Sequence, residues 1–209
     1  MRLLLIADTH VPKRAKDLPA QVWDEVDQAD VVVHAGDWVD PALLDALSSR
    51  AAHLIGCWGN NDGAELRRRL PERADVTLDG LRFTVVHETG AATGREARMA
   101  RDYPGTDVLV FGHSHIPSIF TLEPDGIRVE AVRSARARLK LEPGRKYLIN
   151  PGSIGQPRDR DPRAAYMTYD SDKKVVRWHR VAYPVDRAQQ RILKAGLPKL
   201  LADRLAIGT

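Results

Sequence analysis

Short apolar runs that end in small polar patches recur along this chain, and this pattern constrains its fold more than any other feature. Four of the five patches directly follow an apolar run, so the sequence places their side chains where buried strands end. The patches are Asp8-Thr9-His10, Gly36-Asp37, Gly59-Asn60-Asn61-Asp62, His87 and Gly112-His113-Ser114-His115. Together, in this order, they predict one site that holds two divalent cations, an arrangement suited to attack on phosphate esters.

Strands alternate with helices in the first half of the chain. The apolar periodicity predicts strands over 2–7, 31–33, 53–58, 76–78, 81–86 and 108–111, and helices over 17–28, 41–49, 64–70 and 94–101. Asp40 and Pro41 are typical of a helix start, and Asp79-Gly80 is typical of a tight hairpin turn. The alternation favours a layered α/β core.

The second half contains strands in succession and then two helices. The predicted strands are 118–122, 127–132, 136–141, 147–149, 166–169 and 175–181, and the predicted helices are 186–194 and 198–206. The sequence contains neither an internal repeat nor a linker. We therefore expect one domain over residues 1–209, with two sheets, helices outside, and a C-terminal helical segment at about 185–207.

Composition excludes several classes of protein. A single cysteine, Cys57, excludes an intrachain disulfide and a zinc cluster of thiolates. The net charge of +4 would tolerate an anionic substrate but does not indicate nucleic-acid binding. The apolar stretch from Leu3 to Ala7 is too short for a signal peptide or a membrane span, so we expect a cytoplasmic protein with no membrane partner.

The donor types in the patches indicate which metals fit. Asp8 and His10 are alternate residues of what reads as an extended segment, so their side chains are expected to leave one face, as are those of His113 and His115. Asp37 offers two carboxylate oxygens that can bridge two cations. The set contains oxygen and nitrogen donors only, which favours manganese, with iron, zinc, nickel and magnesium as alternatives.

A structural interpretation competes at each single position. An aspartate after a strand is usually a cap or turn residue, and a histidine there is usually a hydrogen-bonded structural group. We assign His53 and His179 to that interpretation, and His34 to a supporting position behind the ligands. The presence of all five patches in one chain disfavours the structural interpretation for the residues of those patches.

The complete motif set resembles that of the calcineurin-like metallophosphoesterase superfamily, and specifically its small bacterial and archaeal phosphodiesterase branch. The resemblance covers essentially the whole chain and includes the later segment from Asn150 to Asp159. It implies a four-layer α-β-β-α sandwich with two metal ions at the strand ends. One metal would take Asp8, His10, Asp37 and His115, and the other Asp37, Asn60, His87 and His113. Asp37, Asn60 and His10 would be the catalytic residues.

The chain departs from the family pattern at two places. Many larger members have a histidine directly after the metal-bound asparagine, where it is thought to protonate the leaving group. Here that residue is Asn61, so the leaving oxygen would depart unassisted or with help from water or Asp62. Glu88-Thr89 follows His87, where the family often has a Gly-His pair.

Candidate substrate contacts are Asn61, Ser153 and Arg158. The glycines of the Asn150–Asp159 segment could expose backbone N–H groups to a phosphate, with Ser153 and Arg158 beside it. Alternatively, Asn-Pro-Gly-Ser is good turn chemistry that closes a sheet.

Two basic stretches also have two interpretations. Residues 128–146 contain seven basic residues: Arg128, Arg133, Arg136, Arg138, Lys140, Arg145 and Lys146. They could bind a polyanion such as a nucleotide, but a solvated strand edge is favoured. The Arg67–Arg69 run is interpreted as a solvated helix face.

The sequence thus favours a hydrolase for phosphodiesters, and also phosphomonoesters, of small molecules or nucleotides. A dinucleoside polyphosphate hydrolase or a protein phosphatase is the alternative enzyme. A non-catalytic scaffold like a retromer subunit of this fold is the alternative from another class. Homo-oligomerisation stays open at this point.

Overall fold

The computed structural model describes residues 1–12, 17–130, 137–194, 196 and 198–209. Its strands are β1 (Arg2–Ile6), β2 (Val31–Ala35), β3 (Leu54–Cys57), β4 (Arg73–Leu78), β5 (Leu81–Val86), β6 (Val108–Phe111), β7 (Ser118–Glu123), β8 (Gly126–Glu130), β9 (Arg138–Lys140), β10 (Lys146–Asn150), β11 (Ala164–Asp170) and β12 (Val175–Val181). Its helices are α1 (Ala20–Gln28), α2 (Pro41–Arg50), α3 (Ala64–Arg69), α4 (Arg95–Asp102), α5 (Val185–Lys194) and α6 (Lys199–Ile207).

The strands form two six-stranded mixed sheets. The first sheet has the order β3-β2-β1-β11-β12-β9, and the second has the order β4-β5-β6-β10-β7-β8. Strands β1, β2 and β3 run parallel, as do β5, β6 and β10. The chain segments that follow β1, β2 and β3 therefore leave the first sheet at one edge, and those after β5 and β6 leave the second sheet likewise.

Alternating side chains of each strand divide between two layers of packing. Leu3 and Leu5 of β1 face the second sheet and pack in the core between the sheets, with residues such as Val85 and Val110. Leu4 and Ile6, one position on, face outward. Inner strands such as β1, β2 and β6 are buried on both faces, which is why they are almost entirely apolar, whereas the edge strands β4, β8 and β9 are largely exposed and more polar.

Helices cover the outer faces. Val22 and Val26 of α1 and Leu47 of α2 pack on the outer face of the first sheet. Met99 of α4 packs on Leu109 and neighbouring side chains of the second sheet. The architecture is the expected four-layer α-β-β-α sandwich, and no helix in the described part of the chain is both long and apolar enough to cross a bilayer.

The structure refines several expected elements. Helix α1 begins at Ala20 and follows Pro19, three residues later than Asp17, because its first turn is set by the proline. The Asp40 carboxylate accepts a hydrogen bond from the Ala42 N–H at 2.8 Å, which confirms the expected start of α2. The predicted strands 127–132 and 136–141 correspond to β8 and β9, and residues 131–136 lie outside the described residues.

Candidate metal centre

Five of the seven expected ligands have left-handed backbone conformations. The φ angles are 51° at Asp8, 50° at His10, 61° at Asp37, 84° at His113 and 59° at His115. Residues other than glycine rarely adopt positive φ, and such residues cluster at functional sites. The expectation of extended segments, with Asp8 and His10 leaving one face, is therefore wrong: β1 ends at Ile6, and left-handed turns bring the two side chains together.

The first group of donors is closely packed and buried. Ligand atoms of Asp8, His10, Asp37 and His115 all lie within 4.8 Å of one another. His115 Nε2 lies 3.3 Å from Asp8 Oδ1, and His10 Nε2 lies 3.6 Å from Asp37 Oδ2. These four residues are the set that the sequence assigned to one metal.

The second group of donors lies on the other side of Asp37. The Asn60 amide oxygen Oδ1 lies 3.0 Å from His87 Nε2 and 3.0 Å from His113 Nδ1. His87 Nε2 also lies 3.5 Å from Asp37 Oδ2. Asp37 is therefore common to both groups, as a bridging carboxylate has to be.

Hydrogen bonds fix which ring nitrogens face the centre. His87 Nδ1 donates to the Ala35 carbonyl at 2.8 Å, and His115 Nδ1 donates to the Gln156 carbonyl at 2.6 Å. When each ring is neutral, this leaves Nε2 with its lone pair toward the centre, the arrangement that metal-bound histidines show. His113 presents Nδ1 instead, toward Asn60.

Charge is concentrated in this buried space. Burial raises the pKa of Asp8 to about 7, although the charge of His87 opposes the shift. Burial also acts to raise the pKa of Asp37, but the hydrogen bond and charge of His87 outweigh it and hold that pKa below its ordinary value. Burial lowers the pKa of His87, but its contacts with Asp37 and Asp8 dominate and raise it to about 9.

The residues present fit divalent cations. Asp8 and Asp37 are 0% and 1% exposed, and burying two carboxylates this close is costly unless cations compensate them. Carboxylate and amide oxygens with imidazole nitrogens suit manganese, iron or zinc. Asp8, His10, Asp37 and His115 could hold one ion, and Asp37, Asn60, His87 and His113 a second.

Asp62 organises the loops that carry these donors. Its buried carboxylate accepts backbone N–H groups from Asp37 at 3.2 Å, Val39 at 2.7 Å and Gly59 at 2.6 Å. It therefore joins the segment after β2 to the segment after β3. With three N–H donors and 3% exposure, Asp62 is a structural residue and is poorly placed to protonate a leaving group.

Gly36 is required by close packing against a ligand. Its φ is 86°, and a Cβ added there would lie 2.6 Å from His87 Nδ1. A side chain at this position would displace the imidazole of His87.

His34 lies directly behind the centre. Its ring stacks on Trp38 with centroids 3.6 Å apart, and its Nε2 lies 3.1 Å from Thr9 Oγ1. The Thr9 hydroxyl in turn donates to the Asp37 carbonyl at 3.2 Å. His34 thus occupies the supporting position expected for it. His179 contacts Thr168 at 2.8 Å far from the centre, and His53 is exposed, so neither joins the centre.

The three expected substrate contacts have different environments. Ser153 is fully buried, and its hydroxyl donates to the Asp8 carbonyl at 2.7 Å while accepting the Gln156 N–H at 2.8 Å. The structure thus corrects that expectation: Ser153 holds the loop against β1 and has no hydroxyl left for substrate. The Asn61 amide donates to Asp37 Oδ2 at 2.6 Å.

Arg158 is half-buried beside the centre. Its backbone N–H donates to the His115 carbonyl at 3.3 Å, and burial lowers the pKa of its guanidinium. Its nearest hydrogen-bond acceptor is Gln156 Oε1, at 3.5 Å, and its buried Nε has no partner in the described structure. Arg158 therefore remains available to an anion.

Most of the described basic residues of the 128–146 segment are ion-paired or exposed, and Lys146 is partly buried and donates to the Pro104 carbonyl. Arg128 pairs with Glu130 at 2.6 Å, and Arg145 pairs with Glu142 at 2.7 Å. These contacts agree with the interpretation of a solvated strand edge; Arg133 and Arg136 lie outside the described residues.

All three residues of the Arg67–Arg69 run are exposed. Arg67 Nε donates to the Asp62 carbonyl at 2.9 Å, and its guanidinium lies 4.3 Å from the centroid of the Trp58 ring. Arg67 is exposed, as expected, and in addition it ties α3 to the loop that carries Asn60.

A family model described as the calcineurin-like phosphoesterase superfamily domain matches residues 1–174. The chain is 27% identical over 190 residues to a protein of Methanothermobacter thermautotrophicus named a probable metallophosphoesterase, covering 90% of this chain and 97% of the relative. It is 37% identical over 102 residues to an uncharacterized protein of Methanocaldococcus jannaschii, covering 49% of this chain but only 40% of that relative.

Solved structures agree with the fold. A metallophosphoesterase from Sphaerobacter thermophilus superposes with a TM-score of 0.76 and 27% identity, covering 100% of both chains. Vps29 of Chaetomium thermophilum superposes with a TM-score of 0.60 and 22% identity, covering 81% of this chain and 79% of that one. The second likeness concerns the fold alone.

Proposed function

The chain belongs to the calcineurin-like phosphoesterase superfamily and is a hydrolase, and we propose that it cleaves phosphodiesters of small molecules or nucleotides at a centre of two divalent metal ions. Manganese is the metal we favour, with iron, zinc, nickel and magnesium as alternatives. The substrates would be small phosphorylated molecules. A cytoplasmic location and a homo-oligomer remain predictions from the sequence.

One observation carries the proposal. Asp37 Oδ2 lies 3.6 Å from His10 Nε2 of the first group of donors and 3.5 Å from His87 Nε2 of the second. One carboxylate shared by two donor groups is what a pair of neighbouring cations requires. Such a pair, when bound, supplies a hydroxide at neutral pH and offsets charge on the phosphate oxygens.

The protein's own residues contribute positioning and charge. Asp37, Asn60 and His10 would set the position of the attacking group, because Asp37 is shared by the two groups of donors, His10 belongs to the first and Asn60 to the second. Arg158, half-buried with an unpartnered Nε, would hold a phosphate oxygen from the loop after β10. Asn61 lies at the same centre through its bond to Asp37 and would contact substrate from the loop after β3.

The residues near the leaving group favour diesters with acidic alcohols. An asparagine at position 61 cannot donate a proton in a useful pKa range, and the Asp62 carboxylate is occupied by three N–H groups. This counts against phosphoserine-like monoesters, and thus against a protein phosphatase. Assays on a panel of substrates that includes dinucleoside polyphosphates test the remaining alternative enzyme, a dinucleoside polyphosphate hydrolase.

Turnover of bis-p-nitrophenyl phosphate by the purified, Mn²⁺-loaded protein tests the proposal. We expect two metal ions per chain by elemental analysis. Asp37→Asn should lower kcat/KM by roughly 100-fold or more, as removal of electrostatic groups from such centres does. His53→Ala, at an exposed position away from the centre, is the matched control and should retain wild-type turnover.

Equal activity of the two variants would contradict the site assignment. Bound metal with no turnover of any diester or monoester would favour a scaffold in place of an enzyme.

A further inference from the structure

A groove opens beside the centre and extends away from the metal-binding residues. It has a volume of about 1010 Å³ and begins at Ser114, which stands between the donors His113 and His115. Its walls come from α4, β7, β8 and β12, and include Arg95, Ser114, Ile116, Phe120, Val129 and Trp178. None of the seven donors lines the groove, but the charge of Arg95 in its wall acts on His113, so the groove lies next to the second group of donors, and it spans both sheets.

Part of the groove wall is apolar and open to solvent. Val129 is 63% exposed and Ile116 is 46% exposed, and both line the same groove. Phe120 lies between them in the wall and is only partly buried. This surface suits an apolar or aromatic group of a ligand.

Two cations that line the groove, Arg95 and Arg160, have no ion pair among the described residues, and Arg95 is the more buried of the two. Arg95 is half-buried at the start of α4, its Nε is buried without a partner, and its guanidinium reaches only the Gly90 carbonyl, at 3.5 Å. No carboxylate pairs with it among the described residues. By contrast, Arg98 on the next turn pairs with Glu88 at 3.0 Å, and Arg180 across the groove pairs with Asp159.

We propose that this groove binds one organic substituent of the phosphodiester, with its apolar body on Ile116, Phe120 and Val129 and the phosphate charge facing Arg95. The inference rests on the proposed function and specifies its substrate class. A diester carries both a negative charge, which Arg95 complements, and an organic group, which the apolar wall covers. Inorganic phosphate has no group that would enter the groove.

Replacement of Val129 by aspartate tests the inference. Val129→Asp should raise the KM for bis-p-nitrophenyl phosphate on the order of tenfold, the loss expected when one aliphatic contact is replaced by a charge. The inhibition constant of orthophosphate, which binds at the metal centre only, should stay unchanged. Leu200→Asp is the matched control, because Leu200 is 65% exposed on α6 and does not line the groove.

Arg95→Gln is a second variant at the other wall, and it should also raise the KM for the diester. The inference is overturned if KM is unchanged in both groove variants, or if Leu200→Asp raises it equally. A parallel rise in the orthophosphate inhibition constant for Val129→Asp would also overturn it, since the change would then act on the centre. In all of these cases the wild-type protein turns over the diester, whereas failure of the proposed function would appear as no turnover at all.

Discussion

The Nε2 atoms of His10 and His115 lie 3.3 Å apart, although the residues are separated by 105 positions in the chain. The Nδ1 of His115 donates to the Gln156 carbonyl, so its Nε2 carries a lone pair toward His10. Two ring nitrogens at this distance can share one proton or one cation, and with Asp8 and Asp37 beside them a cation satisfies all four residues.

Asp8→Asn should have opposite effects on the metal-free and metal-loaded protein. Asp8 is fully buried, so removing its charge should raise the free energy of unfolding in EDTA by about 1–3 kcal/mol. The stabilisation that Mn²⁺ confers on the wild type should be largely lost. Urea unfolding with EDTA and with Mn²⁺ measures both. The exposed Asp24→Asn is the control, and an undiminished gain from Mn²⁺ in Asp8→Asn would refute the assignment of this ligand.

Gly36→Ala should disturb the centre beyond the cost of its backbone conformation. Gly36 and Gly80 have φ angles of 86° and 78°, but a Cβ meets His87 only at position 36, and nothing lies within 4 Å at position 80. Both alanine variants should therefore lose about 1 kcal/mol of stability. Only Gly36→Ala should also lose bound metal, as measured by elemental analysis. Equal metal content in the two variants would show that His87 adapts freely.

Asp62→Asn should weaken both the fold and metal binding. The amide would turn an NH₂ group toward backbone N–H donors of Asp37, Val39 or Gly59, leaving at least one of them unsatisfied. We expect a loss of about 1–3 kcal/mol in the free energy of unfolding and a roughly 10- to 100-fold weaker affinity for Mn²⁺. Asp45→Asn, at an exposed ion pair with Arg69, should change neither quantity in urea unfolding and metal titration. If the two variants were indistinguishable, Asp62 would not organise these loops.

Arg158→Gln should reduce kcat/KM for the diester by about 10- to 100-fold without changing metal content. The reason is the loss of one charge-assisted hydrogen bond, worth about 1.5–3 kcal/mol. Steady-state kinetics measure kcat/KM, and elemental analysis measures the metal content. Arg68→Gln, at an exposed position, serves as the control. A loss of metal in Arg158→Gln would instead give Arg158 a structural role.

Asn61→His should change the dependence of rate on the leaving group. A histidine there could protonate the leaving oxygen, which helps poor leaving groups most. Rates for a series of aryl phosphodiesters, plotted against the pKa of the leaving phenol, should give a shallower slope for the variant than for the wild type. A uniform change across the series would argue against a missing acid. Asn60 is left intact in this variant, so both metals should be retained.

Local pattern in the sequence predicted a layered α/β core and the seven candidate ligands, which the structure brings close together, whereas the four-layer arrangement and the division of the ligands between two metals came from the family resemblance. Apolar runs such as Leu3–Ala7 end in donors, and parallel strands deliver those donors to one edge. Local pattern did not predict which of the two sheets each later strand joins. Strand β10 inserts between β6 and β7, and β11 joins β1, so their neighbours are set by tertiary packing far along the chain.

The parts that sequence reasoning missed depend on three-dimensional neighbours. An Asp-x-His spacing gives no signal for the left-handed φ angles at Asp8 and His10, which result from the turn after β1. Ser153 has a turn-like context in the sequence, yet its burial against Asp8 decides its role. Arg95 is one of several arginines of α4, and only the positions of Glu88 and Arg98 show that it lacks a counter-ion.

The first sheet supplies Asp8, His10, Asp37 and Asn60, and the second supplies His87, His113 and His115. A loaded centre would therefore add metal bonds between the two sheets, which are already joined at this edge by hydrogen bonds from His87 Nδ1 to the Ala35 carbonyl and from the His113 N–H to the Asp8 carboxylate. Movement of one sheet relative to the other would separate the ligands of the first sheet from those of the second. The two sheets should therefore resist relative movement more strongly when the site is occupied. This resistance should be greatest at the edge that carries the ligands.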